Sequence, residues 1–171
     1  MPWKRRPFDG GDLSRALNIA DLRAVARRRV PHFVFEYVEG GAEDEASLRC
    51  NRSAFEALRL VPQTLVDTSS RHLRTEILGR PAAAPLIIGP TGLNGMSHAD
   101  GDIGLARAAA HVGIPFTLST MSTTRLEDVA KQAGGRLWMQ LYVMKNRAVA
   151  EDIMTRASAA GFEALDRKSV V

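Results

Sequence analysis

The residue of this 171-residue chain hardest to explain by packing alone is Gln140, an amide set in the apolar run Leu137-Trp138-Met139-Gln140-Leu141-Tyr142. A buried amide costs free energy unless it is hydrogen-bonded, so an amide inside a strand-like segment implies partners. Other groups could also do chemistry. Gly89-Pro90-Thr91-Gly92 with Asn94-Gly95 is a dense turn closing a short apolar run, and such a loop offers backbone groups to a ligand. Ser119 closes a second strand-like segment. Tyr37 and Tyr142 carry phenols, which donate to an oxyanion without adding charge. Taken singly, most of these have plainer readings. A tyrosine on an apolar helix face is usually a packing residue, and Thr91 and Ser119 alone are ordinary turn residues. The spacing yields no metal site, no Ser-His-Asp arrangement and no Gly-rich Lys-Ser/Thr phosphate loop. The four histidines, His32, His72, His98 and His111, read as surface or structural residues.

These residues need elements to position them. Pro85-Leu86-Ile87-Ile88 has the length and β-branched content of a strand buried on both faces. The Gly-rich loop follows, then a helix over roughly 101–112. Asp102 is its expected cap, Ile103, Leu105, Ala106, Ala109 and Ala110 form its apolar stripe, and Gly113 ends it. Ile114 to Leu118 reads as the next strand. The βα pattern then repeats, with strands centred on Ile87, Thr117, Met139 and Ala164 and further helices over roughly 124–132 and 147–160. That spacing suits parallel strands joined by crossover helices. Upstream, residues 1–17 read as an extension of low order. Residues 18–84 read as a helical and wrapping segment. In it, Asn18 caps a helix that stops before Pro31, and Phe33, Val34, Tyr37 and Val38 share the face of a second. Glu43-Asp44-Glu45 open a third helix running to about Leu58, and a possible strand lies at Leu73 to Leu78.

Composition narrows the class. At 45% hydrophobic residues the chain can fill a core. Its one cysteine, Cys50, excludes a disulfide framework and points to a reducing compartment, and as a thiol among helix formers it reads as buried or neutral rather than nucleophilic. No apolar run approaches the roughly 20 residues that span a bilayer, and the amino terminus lacks the apolar region of a signal peptide. The net charge of +4 sits largely in Lys4-Arg5-Arg6 and Arg27-Arg28-Arg29. Without a nucleic-acid-binding motif these runs read as solvated faces, so nucleic acid is not an expected partner.

Six stretches in one order resemble the family of FMN-dependent α-hydroxy-acid dehydrogenases and oxidases, which includes glycolate oxidase, lactate oxidase and mandelate dehydrogenase. They are residues 37–45 (YVEGGAEDE), 51–55 (NRSAF), 65–67 (LVD), 89–92 (GPTG), 118–120 (LST) and 140–142 (QLY). The run Pro90-Thr91-Gly92-Leu93-Asn94-Gly95 is most similar to the mandelate dehydrogenase branch, because the oxidases usually carry Ala where Gly92 stands. The resemblance implies a TIM (β/α)8 barrel of class α/β, with FMN at the carboxyl ends of the strands, and oxidation of a small 2-hydroxy acid to a 2-oxo acid by hydride transfer to flavin N5. It implies that Pro90, Thr91 and Gly92 lie beside the flavin ring and that Ser119 and Gln140 hydrogen-bond the isoalloxazine, the amide both donating and accepting. By the same resemblance Tyr37 and Tyr142 bind the substrate, Tyr142 polarising it. Met121 stands where glycolate oxidases tend to carry Trp, so substrate size does not transfer from that branch.

A complete barrel of this kind takes about 250 residues, so residues 85–165 are expected to supply about three βα units and the start of a fourth strand, with 166–171 an off-pattern tail. The family's active-site histidine, substrate-holding arginines, flavin-facing lysine and phosphate loops come from later strands. The expectation is therefore an amino-terminal part of such an enzyme, inactive alone. The alternatives are a noncatalytic binding or assembly module that needs a partner chain and a basic RNA-binding domain. A full-length protein is expected to be a homo-oligomer in the cytoplasm. The resemblance leaves peripheral attachment to the inner face of the membrane open, since mandelate-type relatives carry a membrane-contacting segment later in the barrel.

Overall fold

A computed structural model describes residues 13–167. The chain divides into two compact units, Met1–Val66 and Asp67–Val171. Residues 75–82, within the segment read from the sequence as wrapping, form a hairpin tied to the strands of the second unit. The low-order extension predicted over 1–17 lies outside the described residues as far as residue 12; beyond it, Leu13–Arg15 make one 3₁₀ turn.

The first unit is helical. Helix α1 (Ile19–Arg29) starts as its sequence dictates, with the Asn18 side chain accepting from the Asp21 N–H at 2.9 Å. It ends before Pro31, and α2 (His32–Glu39) follows. The face predicted for α2 is corrected. Val34 and Phe35 are the buried pair, while Phe33, Tyr37 and Val38 are exposed. The packing partner explains this: Arg23 of α1 pairs with Glu39 and lies 5.9 Å from the Phe35 ring centroid, which turns the Phe35 side of α2 inward. Helix α3 (Ala46–Ala57) carries Cys50, which is exposed rather than buried. The Glu45 carboxylate accepts from the Gly41 N–H at 3.1 Å and does not cap α3.

The second unit opens with an antiparallel hairpin, β1 (Thr75–Ile77) and β2 (Arg80–Ala82), inside and just beyond the predicted strand. Gly79, at φ +69°, makes the turn. Next come α4 (Gly101–Val112), β3 (Phe116–Leu118), α5 (Leu126–Ala133), β4 (Leu137–Leu141), α6 (Arg147–Ala159) and β5 (Ala164–Arg167). Strands β3, β4 and β5 pair side by side and in parallel, with Thr117 opposite Trp138 and Gln140 opposite Asp166. The charged residues Asp166 and Arg167, predicted to leave the strand, continue it. Backbone pairing to β4 sets this edge, and its side chains are exposed, so no apolar pair is required.

The first predicted strand is overturned in part. Leu86 and Ile87 are exposed, and only Ile88 pairs, through a single parallel bridge to Phe116. Prolines 85, 90 and 115 limit the donors available here. The segment is stitched along one side, Ile88 N–H to the Pro115 carbonyl at 3.0 Å and Thr117 N–H to the Ile88 carbonyl at 2.9 Å. It still runs parallel to β3, so its tip sits beside the tips of β3 and β4.

Alternation along the strands separates two faces. Phe116, Leu118, Leu137 and Met139 pack with Ala106 and Ala109 of α4, Leu126 and Val129 of α5 and Ala157 of α6. Thr117, Ser119, Trp138 and Gln140 face the other way, and all four are buried. Outside this core, a bidentate pair joins α5 to α6, Arg156 Nε and Nη2 donating to Glu127 Oε1 and Oε2 at 2.7 and 3.0 Å. The hydrogen bonds from Arg156 hold the Glu127 carboxyl at about 2, below its ordinary 4.5. A carboxyl lowered on folding stabilises the native state above its unfolded value and loses that contribution as pH falls through the folded one. Glu127→Gln is therefore expected to lower the urea midpoint near neutral pH, with the gap to the unsubstituted protein closing between about pH 4.5 and about 2. A gap that persists at the acid end would separate the effect from this pair.

Candidate functional site

The carboxyl ends of the Ile88 segment, β3 and β4 meet in one hydrogen-bonded surface. Leu93 N–H donates to the Met121 carbonyl at 2.9 Å and Gly95 N–H to Thr123 Oγ1 at 3.0 Å, joining the first loop to the second. A Cβ placed on Gly92 would stand 2.9 Å from Met121 Cβ, so only glycine lets the two loops approach this closely without a shift. Pro90, Thr91 and Gly92 are exposed at this rim.

The second and third tips are locked by Thr120. Its hydroxyl donates to the Gln140 backbone carbonyl at 2.5 Å and accepts from the Tyr142 N–H at 3.1 Å. Its N–H donates to Gln140 Oε1 at 3.1 Å, and the Ser119 hydroxyl donates to the same oxygen at 3.4 Å while accepting from the Met121 N–H at 3.1 Å. The backbone donor fixes which way the amide faces. The carbonyl oxygen of Gln140 is thus supplied from inside, by the Thr120 N–H and the Ser119 hydroxyl. Gln140 is 3% exposed, and its Nε2 has no partner among the described residues. The indole Nε1 of Trp138, two residues earlier on the same face, is likewise without one.

Beneath the loops lies a group that composition alone did not reveal. Asp102, expected to cap α4, sits inside its first turn; the capping position is Asp100, which makes no side-chain cap. Asp102 is fully buried, accepting from Asn94 Nδ2 at 2.7 Å and from the Ser122 hydroxyl at 2.6 Å. The signal that could have found it is the pairing of Asn94 in one turn with the hydroxyl run Ser122-Thr123-Thr124 in the next, flanking an aspartate early in the helix between them. Ser119, Gln140, Tyr142 and the 90–92 loop therefore come together. Tyr142 is partly buried at the end of β4. Tyr37 lies on α2 in the helical unit and is 69% exposed. His32 and His98 behave as surface residues, His32 3.5 Å from Glu36 and His98 Nδ1 accepting from the Asp100 N–H. No cluster of metal-ligating side chains occurs among the described residues.

Parallel strands backed by crossover helices, with convergent polar groups at their carboxyl ends, define a ligand-binding face of the (β/α)8 barrel class. Residues 26–166 match the FMN-dependent dehydrogenases, and the chain belongs to that family. It is 47% identical over 148 residues to (S)-mandelate dehydrogenase of Pseudomonas putida, covering 86% of this chain and 37% of the relative. It is 42% identical over 168 residues to a putative L-lactate dehydrogenase of Mycobacterium tuberculosis, covering 96% and 41%. Among solved structures it superposes on a soluble mutant of the membrane-associated P. putida mandelate dehydrogenase with a TM-score of 0.86 at 46% identity, covering 90% of this chain and 44% of that one. It also superposes on monotopic membrane (S)-mandelate dehydrogenase with a TM-score of 0.87 at 44% identity, covering 92% and 42%. The chain thus carries the first part of a TIM barrel of the mandelate-like branch and spans about two fifths of the length of these relatives. FMN is the cofactor of the family. No helix among the described residues is long and apolar enough to cross a membrane.

Proposed function

We propose that this chain supplies the flavin-facing part of an FMN-dependent enzyme that oxidises a small 2-hydroxy acid to a 2-oxo acid. The observation that carries the reading is the orphaned Nε2 of Gln140, a buried donor held at a strand tip beside a loop that only glycine lets close. An isoalloxazine fits these residues: its pyrimidine edge offers carbonyl oxygens to the Gln140 donor, and its flat face suits the backbone of Pro90, Thr91 and Gly92. Ser119 holds the Gln140 carbonyl oxygen and, at 3.4 Å, can share its hydroxyl with the ring. Bound there, FMN supplies a two-electron acceptor for the hydride leaving the substrate α-carbon. Tyr142 donates from its phenol to the developing 2-oxo oxygen. The proton of the 2-hydroxyl needs a base, which the family resemblance assigns to later strands. Membrane attachment, where it occurs, belongs to the same later part.

The test is flavin titration of the purified chain, followed by co-expression with a polypeptide carrying the later strands of a family member. Flavin bound at the barrel mouth and 2-hydroxy-acid oxidation in the joint preparation alone are the expected results. Turnover by the single chain would overturn the division of labour. A joint preparation that holds no flavin would overturn the reading, and flavin without turnover would favour the noncatalytic assembly module.

A further inference from the structure

We infer that Asp102 is a positioning residue for the flavin site, its carboxylate setting the gap between the loop that carries Thr91 and Gly92 and the loop that carries Ser119 and Met121. This rests on the flavin reading above. Among the described residues Asp102 is the charged side chain taken wholly out of water, at 0% exposure. A charge so placed costs free energy unless its environment compensates it, and an apolar residue at the same helix position would avoid that cost. Compensation here comes from two short hydrogen bonds to uncharged partners and from the position of Asp102 in the first turn of α4, where the helix dipole favours a negative charge. Each partner belongs to a different loop.

Asn94 carries the link to the first loop. Its Nδ2 lies 3.1 Å from both the carbonyl and the hydroxyl oxygen of Thr91, as well as 2.7 Å from Asp102 Oδ1. Ser122 carries the link to the second: its oxygen accepts from the Thr124 N–H at 2.9 Å and stands 2.9 Å from the Thr124 carbonyl. The carboxylate is thus the fixed point between Thr91, at the flavin rim, and the turn that follows Ser119. The cross-loop bonds from Leu93 N–H and Gly95 N–H close over it. The fit is tight enough that a Cβ on Gly101, at φ +36°, would meet Gly95 N at 3.1 Å.

The hydrogen-bond inventory separates a link from a mere filler. In Asp102→Asn the amide oxygen still accepts from Asn94, and its NH2 can donate to Ser122, whose own hydrogen turns to the Thr124 carbonyl. In Asp102→Ala both partners lose their acceptor. Amide exchange in the flavin-free full chain is the first measurement. Leu93 and Gly95 should exchange at least about tenfold faster in Asp102→Ala, with Phe116 and Thr117 unchanged, and should stay within about threefold of the unsubstituted protein in Asp102→Asn. Flavin titration is the second: Asp102→Ala should bind FMN about tenfold more weakly, and Asp102→Asn within about threefold of the unsubstituted protein. If Asp102→Ala fails to fold, Asn94→Ala, which removes no core side chain, should show both effects. Unchanged exchange at Leu93 and Gly95 would overturn the inference. So would unchanged flavin affinity in a folded Asp102→Ala or Asn94→Ala, or an Asp102→Asn as impaired as Asp102→Ala. If the unsubstituted chain takes up no FMN even when co-expressed with the later strands, the functional reading fails, while amide exchange still decides whether the carboxylate joins the loops.

Discussion

Gln140→Leu is expected to weaken flavin binding by about 100-fold, because two separate losses add. The outward donor disappears, and on the inner side the Thr120 N–H and the Ser119 hydroxyl lose the oxygen they share. The second loss alone would loosen the tip of β3, so leucine cannot separate ligand contact from local order. Gln140→Glu does. It keeps an oxygen for Thr120 and Ser119 and replaces only the outward amine, presenting an acceptor to an acceptor. Its flavin affinity should fall at least as far as that of the leucine variant, with the exchange of the Thr120 amide near that of the unsubstituted protein. Flavin fluorescence quenching reads the first quantity and amide exchange the second. A glutamate variant that binds FMN normally would mean that Nε2 does not face the flavin, and the functional reading would lose its principal support.

Much of this arrangement was legible because parallel β/α architecture writes itself into local pattern. Apolar runs at Phe116–Leu118 and Leu137–Leu141, separated by amphipathic stretches and closed by Gly113 and Gly134-Gly135, could hardly fold otherwise. Gln140 stood out for the same reason, as one polar residue in a run where every neighbour had an apolar explanation. What was not legible depended on partners distant in sequence. Leu86 and Ile87 look like a buried strand, yet burial of a strand comes from its neighbours on both edges, and this segment is paired on one. Asp102 looks like a cap because aspartate early in a helix usually is one. Its actual role is set by Asn94, eight residues back, and Ser122, twenty residues on, which no helical period brings together. Thr120 was equally invisible: a hydroxyl that accepts from one strand tip and donates to the same strand is a tertiary fact.

The opposite end of the barrel holds the substitution with the greatest expected effect on stability, Arg136→Ala. Arg136 precedes β4 and Glu163 precedes β5, so both stand at the amino ends of the parallel strands. Arg136 Nε donates to Glu163 Oε2 at 2.9 Å and Nη2 to the Ile77 carbonyl at 2.9 Å, while Nη1 lies 3.3 Å from the carbonyls of Arg80 and Pro81. One guanidinium thereby fastens the β1–β2 hairpin across the strand ends, and Arg80 completes the arrangement by pairing with Glu163. The two central side chains are only 13% and 16% exposed, so the pair is screened less than one at the surface. Removing the arginine leaves a largely buried carboxylate with one exposed partner and takes a charged donor from the Ile77 carbonyl, a loss of about 2–4 kcal/mol. Arg136→Lys should recover less than half of that, since a point charge cannot reach the carboxylate and the hairpin carbonyls together. Urea denaturation gives the size, and the exchange of the Thr75 and Ala82 amides gives the place: both should be deprotected first. A loss below about 1 kcal/mol, as for an ordinary surface ion pair, would mean that the hairpin is held by its own turn and not by the strands it crosses.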